Sequence, residues 1–393
     1  MDSTAIVRPL DITTPWGTVV CMSLTMFALI ASEFMPVALL TPIAGDLGIS
    51  EGQAGQAIAF SGFFAVITAL FGNALLGQYD RRSVMLFYTA VLVVSGLAVT
   101  FAPNYLVLMF GRALIGMSIG GYISLTTAIL ARISAPADLP RALALLQSGS
   151  ALASVLAQPL GSLLGGYIGW RAAFFVVVPL GVISFIWQMF VLPRVPATGG
   201  VSVAKTFGLL RERFFYVGMV AMMLFFVGQF SLSTYLRPYL ELVTQLDINA
   251  LSAVFLGIGL AGLAGTSAIS FFLGQQLRTV MIGFPIVLAA IALALIGFST
   301  SGFAVAGLLL LWGLLTTPMP VAWNAWMTRV VPDRLEAAGA LFVALIQAAI
   351  TFGAFAGGLL YDQAGWWSAF GFGAAAFVGA TIVGVFAARS LSQ

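Results

Sequence analysis

Apolar residues in this chain run in twelve long stretches, and charged residues fall mostly in the short gaps between them. A hydrocarbon core of ~30 Å takes about 20 residues of helix to cross, and a charge left inside it costs several kcal/mol. The pattern predicts membrane spans at 16–43, 53–78, 83–101, 105–131, 142–166 and 172–192, then at 214–240, 249–274, 280–298, 304–328, 337–360 and 367–388. Proline, glycine and polar clusters such as Ala102-Pro103-Asn104 and Ser299-Thr300-Ser301-Gly302 separate them. The first stretch outruns the roughly 7–15-residue core of a secretory signal, with no A-x-A-type site after it, so it is expected to be a true span. The expected class is an all-α, multi-pass membrane protein with 12 spans.

The spans fall into two sets of six. Residues 193–213 form the longest hydrophilic stretch, from Pro193-Arg194-Val195-Pro196 to Arg211-Glu212-Arg213, and divide a unit 1–192 from a unit 214–393. The units echo each other at an offset of about 200 residues. Glu33-Phe34-Met35-Pro36 meets Tyr235-Leu236-Arg237-Pro238, and Ile168-Gly169-Trp170-Arg171 meets Ala364-Gly365-Trp366-Trp367. Two parallel six-helix repeats are the plan of the major facilitator fold, with a substrate site between them near the midplane.

Composition removes several alternatives. Charged residues are 7% of the chain against roughly 25% in soluble domains, so its apolar surface needs lipid to cover it. The net charge of +3 reads as a topological bias and not as a nucleic-acid footprint. Histidine is absent and Cys21 is the single cysteine, which excludes His-ligated zinc, Ser-His-Asp triads and a disulfide framework. No catalytic residue, metal or cofactor is expected.

Basic residues orient the chain. With a cytoplasmic N-terminus, Arg8, Arg81, Arg82, Arg132, Arg141, Arg194, Lys205, Arg211, Arg213, Arg278, Arg329, Arg334 and Arg389 all lie inside, and the outer loops hold only Arg171. Both termini are expected in the cytoplasm.

Two motifs of soluble enzymes are misleading here. Gly116-Met117-Ser118-Ile119-Gly120 fits the nucleophile elbow, but it lies inside span 4 of a chain without histidine; close helix contact is the plainer reading. Gly199 to Thr206 nearly fits a phosphate-binding loop, but Ala204 replaces the second glycine and no strand precedes it. Glycine stripes in span 8 (Gly257, Gly259, Gly262, Gly265) and span 5 (Gly161, Gly165, Gly166) suit close packing and sliding alike.

The candidate chemistry is carried by ionisable groups within spans. Glu33 lies 17 residues past Trp16, roughly 26 Å along a helix rising ~1.5 Å per residue, in the outer half of the first span. A carboxyl at that depth is either a proton carrier or the static partner of an arginine. Pro36 has no N–H for the Ser32 carbonyl, which loosens the helix beside Glu33. Arg112, about seven residues into span 4, can pair with a carboxylate or satisfy helix-end carbonyls. Arg237 stands between a site role and snorkelling to the interface. Gln229, Gln147, Gln158, Gln347 and Asn324 can face a cavity, and Phe34, Tyr235 and Trp323 can offer stacking surfaces. Together they suit a small, uncharged, hydrogen-bonding molecule.

The stretch Ser32-Glu33-Phe34-Met35-Pro36-Val37, continuing through Leu40-Thr41-Pro42 to Asp46-Leu47-Gly48-Ile49-Ser50, resembles the first helix of bacterial drug and sugar efflux facilitators of the major facilitator superfamily. Asp80-Arg81-Arg82 resembles that superfamily's loop between helices 2 and 3. Arg112 and Gly116 resemble its helix-4 signature, and Pro159, Gly161 and Gly165 its antiporter signature. A narrower resemblance, to the purine ribonucleoside efflux permease family, rests on Ile49-Ser50-Glu51-Gly52 with Ala54-Gly55-Gln56, Thr234-Tyr235 with Arg237-Pro238, Gly265-Thr266-Ser267, Trp312-Gly313-Leu314, Trp326 and Thr328-Arg329.

The resemblance implies a monomeric, proton-coupled exporter of a bacterial inner membrane. Glu33 and Arg112 would couple protons, and Phe34, Gln229, Tyr235, Arg237, Trp323, Asn324 and Gln347 would bind a nucleoside. Asp80, Arg81, Arg82, Pro159, Gly161 and Gly165 would act in gating. Sugar exporters share the Glu33-Phe34 motif, and a drug exporter, an uncoupled facilitator, an importer or a membrane sensor would share the fold. Gly77-Gln78 stand where the loop signature has aspartate then arginine, and Gln158-Pro159 replaces Gly-Pro; both put gate control in question.

The charge distribution carries a topological expectation. Cysteines placed in loop 193–213 should react with an impermeant maleimide only from the cytoplasmic side, and cysteines at 45–50 only from outside. The reverse pattern would invert every depth assigned above.

Overall fold

The structure is a computed structural model that describes residues 13–196, 208–272 and 276–387. Arg8, Lys205, Arg389 and the phosphate-loop look-alike 199–206 lie outside the described residues, as does most of the linker. Twelve helical spans are present: Trp16–Leu47, Glu51–Gly72, Arg81–Thr100, Tyr105–Ile133, Leu139–Ile168, Trp170–Val191, Arg213–Ser233, Ile248–Ile269, Leu277–Gly297, Gly302–Val330, Leu341–Ala364 and Trp366–Ala387. They are numbered spans 1–12 in that order. Their ends follow local chemistry. Span 2 starts at a capping box: Ser50 Oγ accepts from the Gln53 N–H at 3.0 Å, and Gln53 Oε1 accepts from the Ser50 N–H at 3.1 Å. Asn104 caps span 4 through the Val107 N–H at 3.1 Å.

Prolines make the departures from the expected ranges. Span 7 was expected to reach residue 240, but its helix stops at Ser233. Pro238 cannot extend the ladder, and the chain goes on as a helical turn Leu236–Pro238 and a π-turn Tyr239–Val243. The equivalent break in span 1 is at Pro36: helix Trp16–Phe34 passes into a 3₁₀ turn Met35–Leu39 and then helix Leu40–Leu47. Span 10 is likewise divided, into Gly302–Thr316 and Met319–Val330, around Pro318 and Pro320.

The repeat is written in the backbone. Among the described residues, positive φ occurs at Gly48 (63°) and Gly169 (84°) in the first set, and at Gln245 (58°) and Gly365 (93°) in the second. Packing repeats too. In spans 2 and 4, a Cβ at Gly116 would collide with the Ser61 carbonyl; in spans 8 and 10, a Cβ at Gly313 would collide with the Ile258 carbonyl. Both partners are displaced by 197 residues, 116 to 313 and 61 to 258. This confirms the plainer reading of the Gly116–Gly120 motif as helix contact.

Span 2 packs on span 11 and span 5 on span 8, which joins the two sets. The hydrogen bonds found across this join lie at the end opposite the linker, called the far end. They are Ser50 Oγ to Asp362 Oδ2 at 2.6 Å, the Gly52 N–H to Asp362 Oδ1 at 3.1 Å, Ser252 to Ser162 at 2.8 Å, Tyr167 to Asn249 at 3.2 Å, and Arg237 to the Ala38 carbonyl. The far end is closed.

Candidate functional site

Span 4 carries Arg112 into the interior of the first six spans, where its guanidinium is fully buried. A buried guanidinium needs a partner for each donor face. Nε donates to the Ala57 carbonyl of span 2 at 3.1 Å, Nη1 to the Ser32 carbonyl of span 1 at 2.9 Å, and Nη2 to Ser61 Oγ of span 2 at 3.0 Å. The Ser32 carbonyl is the one that Pro36 deprives of its helical partner. The loosened helix and the arginine are therefore one feature.

Glu33 completes the cluster and is 5% exposed. Its Oε2 lies 3.5 Å from Arg112 Nη2, and Ser61 Oγ lies 3.3 Å from both carboxylate oxygens. Charge-assisted hydrogen bonds of this kind usually close to ~2.7–2.9 Å, so the carboxylate is held loosely while the arginine is held well. Ser61 Oγ is also 2.9 Å from the Ile58 carbonyl, and its single hydrogen serves one acceptor at a time. Gly116 permits this arrangement, because any side chain there would push span 2 and Ser61 away.

Next to Glu33, half-buried Phe34 stacks on Phe230 of span 7 across the join, with ring centroids 6.4 Å apart and planes at 13°. Gln229 precedes Phe230; its Oε1 is buried without a hydrogen-bond partner. A loose carboxylate, a stacked aromatic pair and an unpaired amide oxygen are thus supplied by spans 1 and 7.

Other candidates lie elsewhere. Tyr235 is fully buried in the far-end seam, donating to the Ala354 carbonyl at 2.7 Å and stacking on Tyr361 at 5.2 Å. Arg237 is neither snorkelling nor open to a ligand: it is 2% exposed, donates to Glu241 at 3.0 Å and reaches the Ala38 carbonyl. Both sit in the closed seam, on the far-end side of the Phe34–Phe230 pair. Trp323 is buried against Trp326 at 5.8 Å, and Asn324 points to the exposed face, bonding to its own helix at the Pro320 carbonyl at 2.8 Å. These neighbours, about 100° apart on the helix, have different surroundings, one packed inside and the other at the surface. Gln347 is half-buried on span 11, with its carbonyl accepting from Thr351 at 2.8 Å.

The expected gating residues have other partners. Asp80 caps span 3 and accepts from the Val195 N–H at 3.0 Å, the Arg81 N–H donates to the Val195 carbonyl at 3.0 Å, and Arg82 reaches the Met189 carbonyl. This trio fastens the chain as it leaves span 6. Pro159, Gly161 and Gly165 lie on span 5; Gly161 and Gly165 pack against Met35 and Leu39 in the broken part of span 1. Ser61 and Phe230 were missed, since a serine or phenylalanine in a span has no distinguishing sequence signal.

Twelve apolar helices in two repeated sets around a buried charge cluster define a membrane transporter and not an enzyme. The chain belongs to the Major Facilitator Superfamily, whose sequence profile matches residues 21–340. It is 45% identical over 381 residues to the "Transcription regulatory protein OpdE" of Pseudomonas aeruginosa, covering 95% of this chain and 94% of that one. It is 37% identical over 350 residues to the "Purine ribonucleoside efflux pump NepI" of Salmonella paratyphi C, covering 89% and 88%. The human organic anion transporter MFSD10 (TETRAN) shares the fold at a TM-score of 0.67 and 17% identity, over 96% of this chain and 100% of that one. A bacterial homologue of the lysosomal transporter Spinster, inward-facing and unoccupied, does so at 0.69 and 14%, over 96% of both. The protein is a secondary transporter of small organic solutes.

Gly116→Ala should destabilise the protein by about 1–3 kcal/mol, the usual range for overpacking. Gly307→Ala, where a Cβ meets nothing within 4 Å, should not. Thermal unfolding in detergent compares them; equal melting temperatures would contradict the close approach of spans 2 and 4.

Proposed function

We propose that the protein exports purine ribonucleosides in exchange for protons, with Glu33 as the proton carrier. The observation that carries this reading is the unequal grip within the buried cluster. Arg112 keeps its bonds to Ser32, Ala57 and Ser61 whether or not Glu33 is charged. Neutralising the carboxylate therefore leaves these three bonds in place, and the neutral carboxyl keeps an oxygen for the remaining Nη2 N–H, while the guanidinium charge it no longer offsets favours release of the proton.

Units 1–192 and 214–393, joined by 193–213, rock about the midplane. The far end faces the outside of a bacterial inner membrane and both termini face the cytoplasm, in keeping with the positive-inside distribution. A proton arriving from outside neutralises Glu33 as cargo leaves; its release to the cytoplasm restores the charge that favours the next cargo. A purine suits the site because it has a flat face for Phe34 and Phe230, and edge N–H groups for Gln229 Oε1. The name of the NepI relative agrees with this cargo. One chain supplies both walls, so a monomer suffices.

Two measurements in inverted vesicles test the reading. An acid lumen should drive uptake of labelled inosine, and Glu33→Gln should reduce this to background while downhill exchange survives, because the amide keeps shape and hydrogen bonding but cannot ionise. Undiminished gradient-driven uptake by Glu33→Gln would leave Glu33 a structural partner of Arg112.

Competition identifies the cargo class. Excess guanosine should suppress inosine uptake, while arabinose and a lipophilic drug should not. Suppression by arabinose alone would place the chain with sugar exporters, and by the drug alone with multidrug pumps.

A further inference from the structure

We infer that Asp362 is a removable helix cap, a latch that holds the far end closed. It sits at the end of span 11, in the last six spans, yet its carboxylate lies on the first turn of span 2. Oδ2 accepts from Ser50 Oγ at 2.6 Å and Oδ1 from the Gly52 N–H at 3.1 Å. The first-turn N–H groups of a helix lack intrahelical partners and carry partial positive charge, so an anion placed there is stabilised.

Three details point to a reversible contact. Ser50 splits its roles: its lone pair caps Gln53 of its own helix, while its hydrogen goes to Asp362. When the join opens, span 2 keeps its own cap, and only the Ser50 hydrogen and the Gly52 N–H pass to water. Second, Asp362 is exposed, so water can replace both donors without stranding a buried charge. Third, residue 52 is glycine, and a Cβ there would collide with the carboxyl group of Asp362. The two bonds exist only while the far end is closed. They therefore contribute a free-energy difference between the two conformations, which is what a latch requires.

The direction of the cycle rests on the transporter reading above, but the latch itself is tested without cargo. In a Cys21→Ala background, Thr351→Cys places a thiol in the same seam, beside Gly62 and roughly 16 Å along the helix from Asp362. An impermeant maleimide applied at the far face should label it slowly. Adding Asp362→Ala should raise the rate about tenfold, the equivalent of about 1.4 kcal/mol. Gly52→Ala, which keeps the carboxylate but fills its place, should act in the same direction. Either alanine variant labelling at the parent rate would overturn the latch. Should Asp362→Ala fail to reach the membrane, Gly52→Ala alone decides.

A bifunctional methanethiosulfonate linking Ser50→Cys to Asp362→Cys should stop transport, with recovery on reduction; transport that continues after linkage also overturns the proposal. Faster labelling without inosine transport would keep the latch and reject the cargo.

Discussion

Everything around the buried charge pair depends on how a guanidinium is accommodated inside the protein. Arg112 cannot shed its proton, so each donor face must find oxygen within the protein. Two faces are met by backbone carbonyls, of Ser32 and Ala57, and one by the Ser61 hydroxyl. That solution fixes spans 1, 2 and 4 to one another. It also demands a helix break that frees the Ser32 carbonyl, which Pro36 provides, and a close approach of spans 2 and 4, which Gly116 provides. Glu33 neutralises the charge without being the main anchor. A carboxylate in that position can change its charge while the architecture around it stays satisfied.

The repeat is a scaffold on which the chemistry is unequal. The break at Pro36 recurs at Pro238, 202 residues later, and the same shift carries Glu33 to Tyr235. The shift of 197 that matches Gly116 to Gly313 carries Arg112 to Leu309. The last six spans thus keep the fold and drop this ion pair. At the place of the carboxylate stands a buried tyrosine bonded to the Ala354 carbonyl. One set of six carries the charge, and the other brings Tyr235, Arg237 and Asp362 to the closed end.

The spans, their repeat and the Glu33–Arg112 pair were legible because each is one-dimensional information: run length, offset, or an ionisable residue where lipid forbids it. The consequence of Pro36 was legible for the same reason, since a missing N–H names its orphaned carbonyl. Which face a residue occupies was not. Trp323 and Asn324 are neighbours in sequence, yet one is buried and the other exposed, and an aromatic and an amide in a membrane span do not by themselves say which of them faces the protein. The seam positions of Tyr235 and Arg237 were not legible either, because the same residue types serve a ligand and a seam. Asp362 was invisible, because an acid at the end of a span is ordinary until its partner across the join is known.

Small residues serve two different purposes. Within each set, several bring backbone onto backbone: Gly116 on the Ser61 carbonyl, and Gly353 on the Val227 carbonyl, where a Cβ would come within 2.6 Å, while others, such as Gly121 against Tyr88 and Gly218 against Trp326, make room for a ring. The backbone contacts leave no room for a side chain to adjust and hold the helices of each set tightly together. Across the join, they mostly receive side-chain tips: Gly52 that of Asp362, Gly55 that of Tyr235, Gly62 that of Thr351. Gly259 and Gly358 differ, lying against the Val155 backbone and the Gly52 carbonyl. A tip can withdraw by rotamer change with no backbone strain, and its polar end can turn to water. The join is therefore built largely from contacts that are specific when made and inexpensive to break.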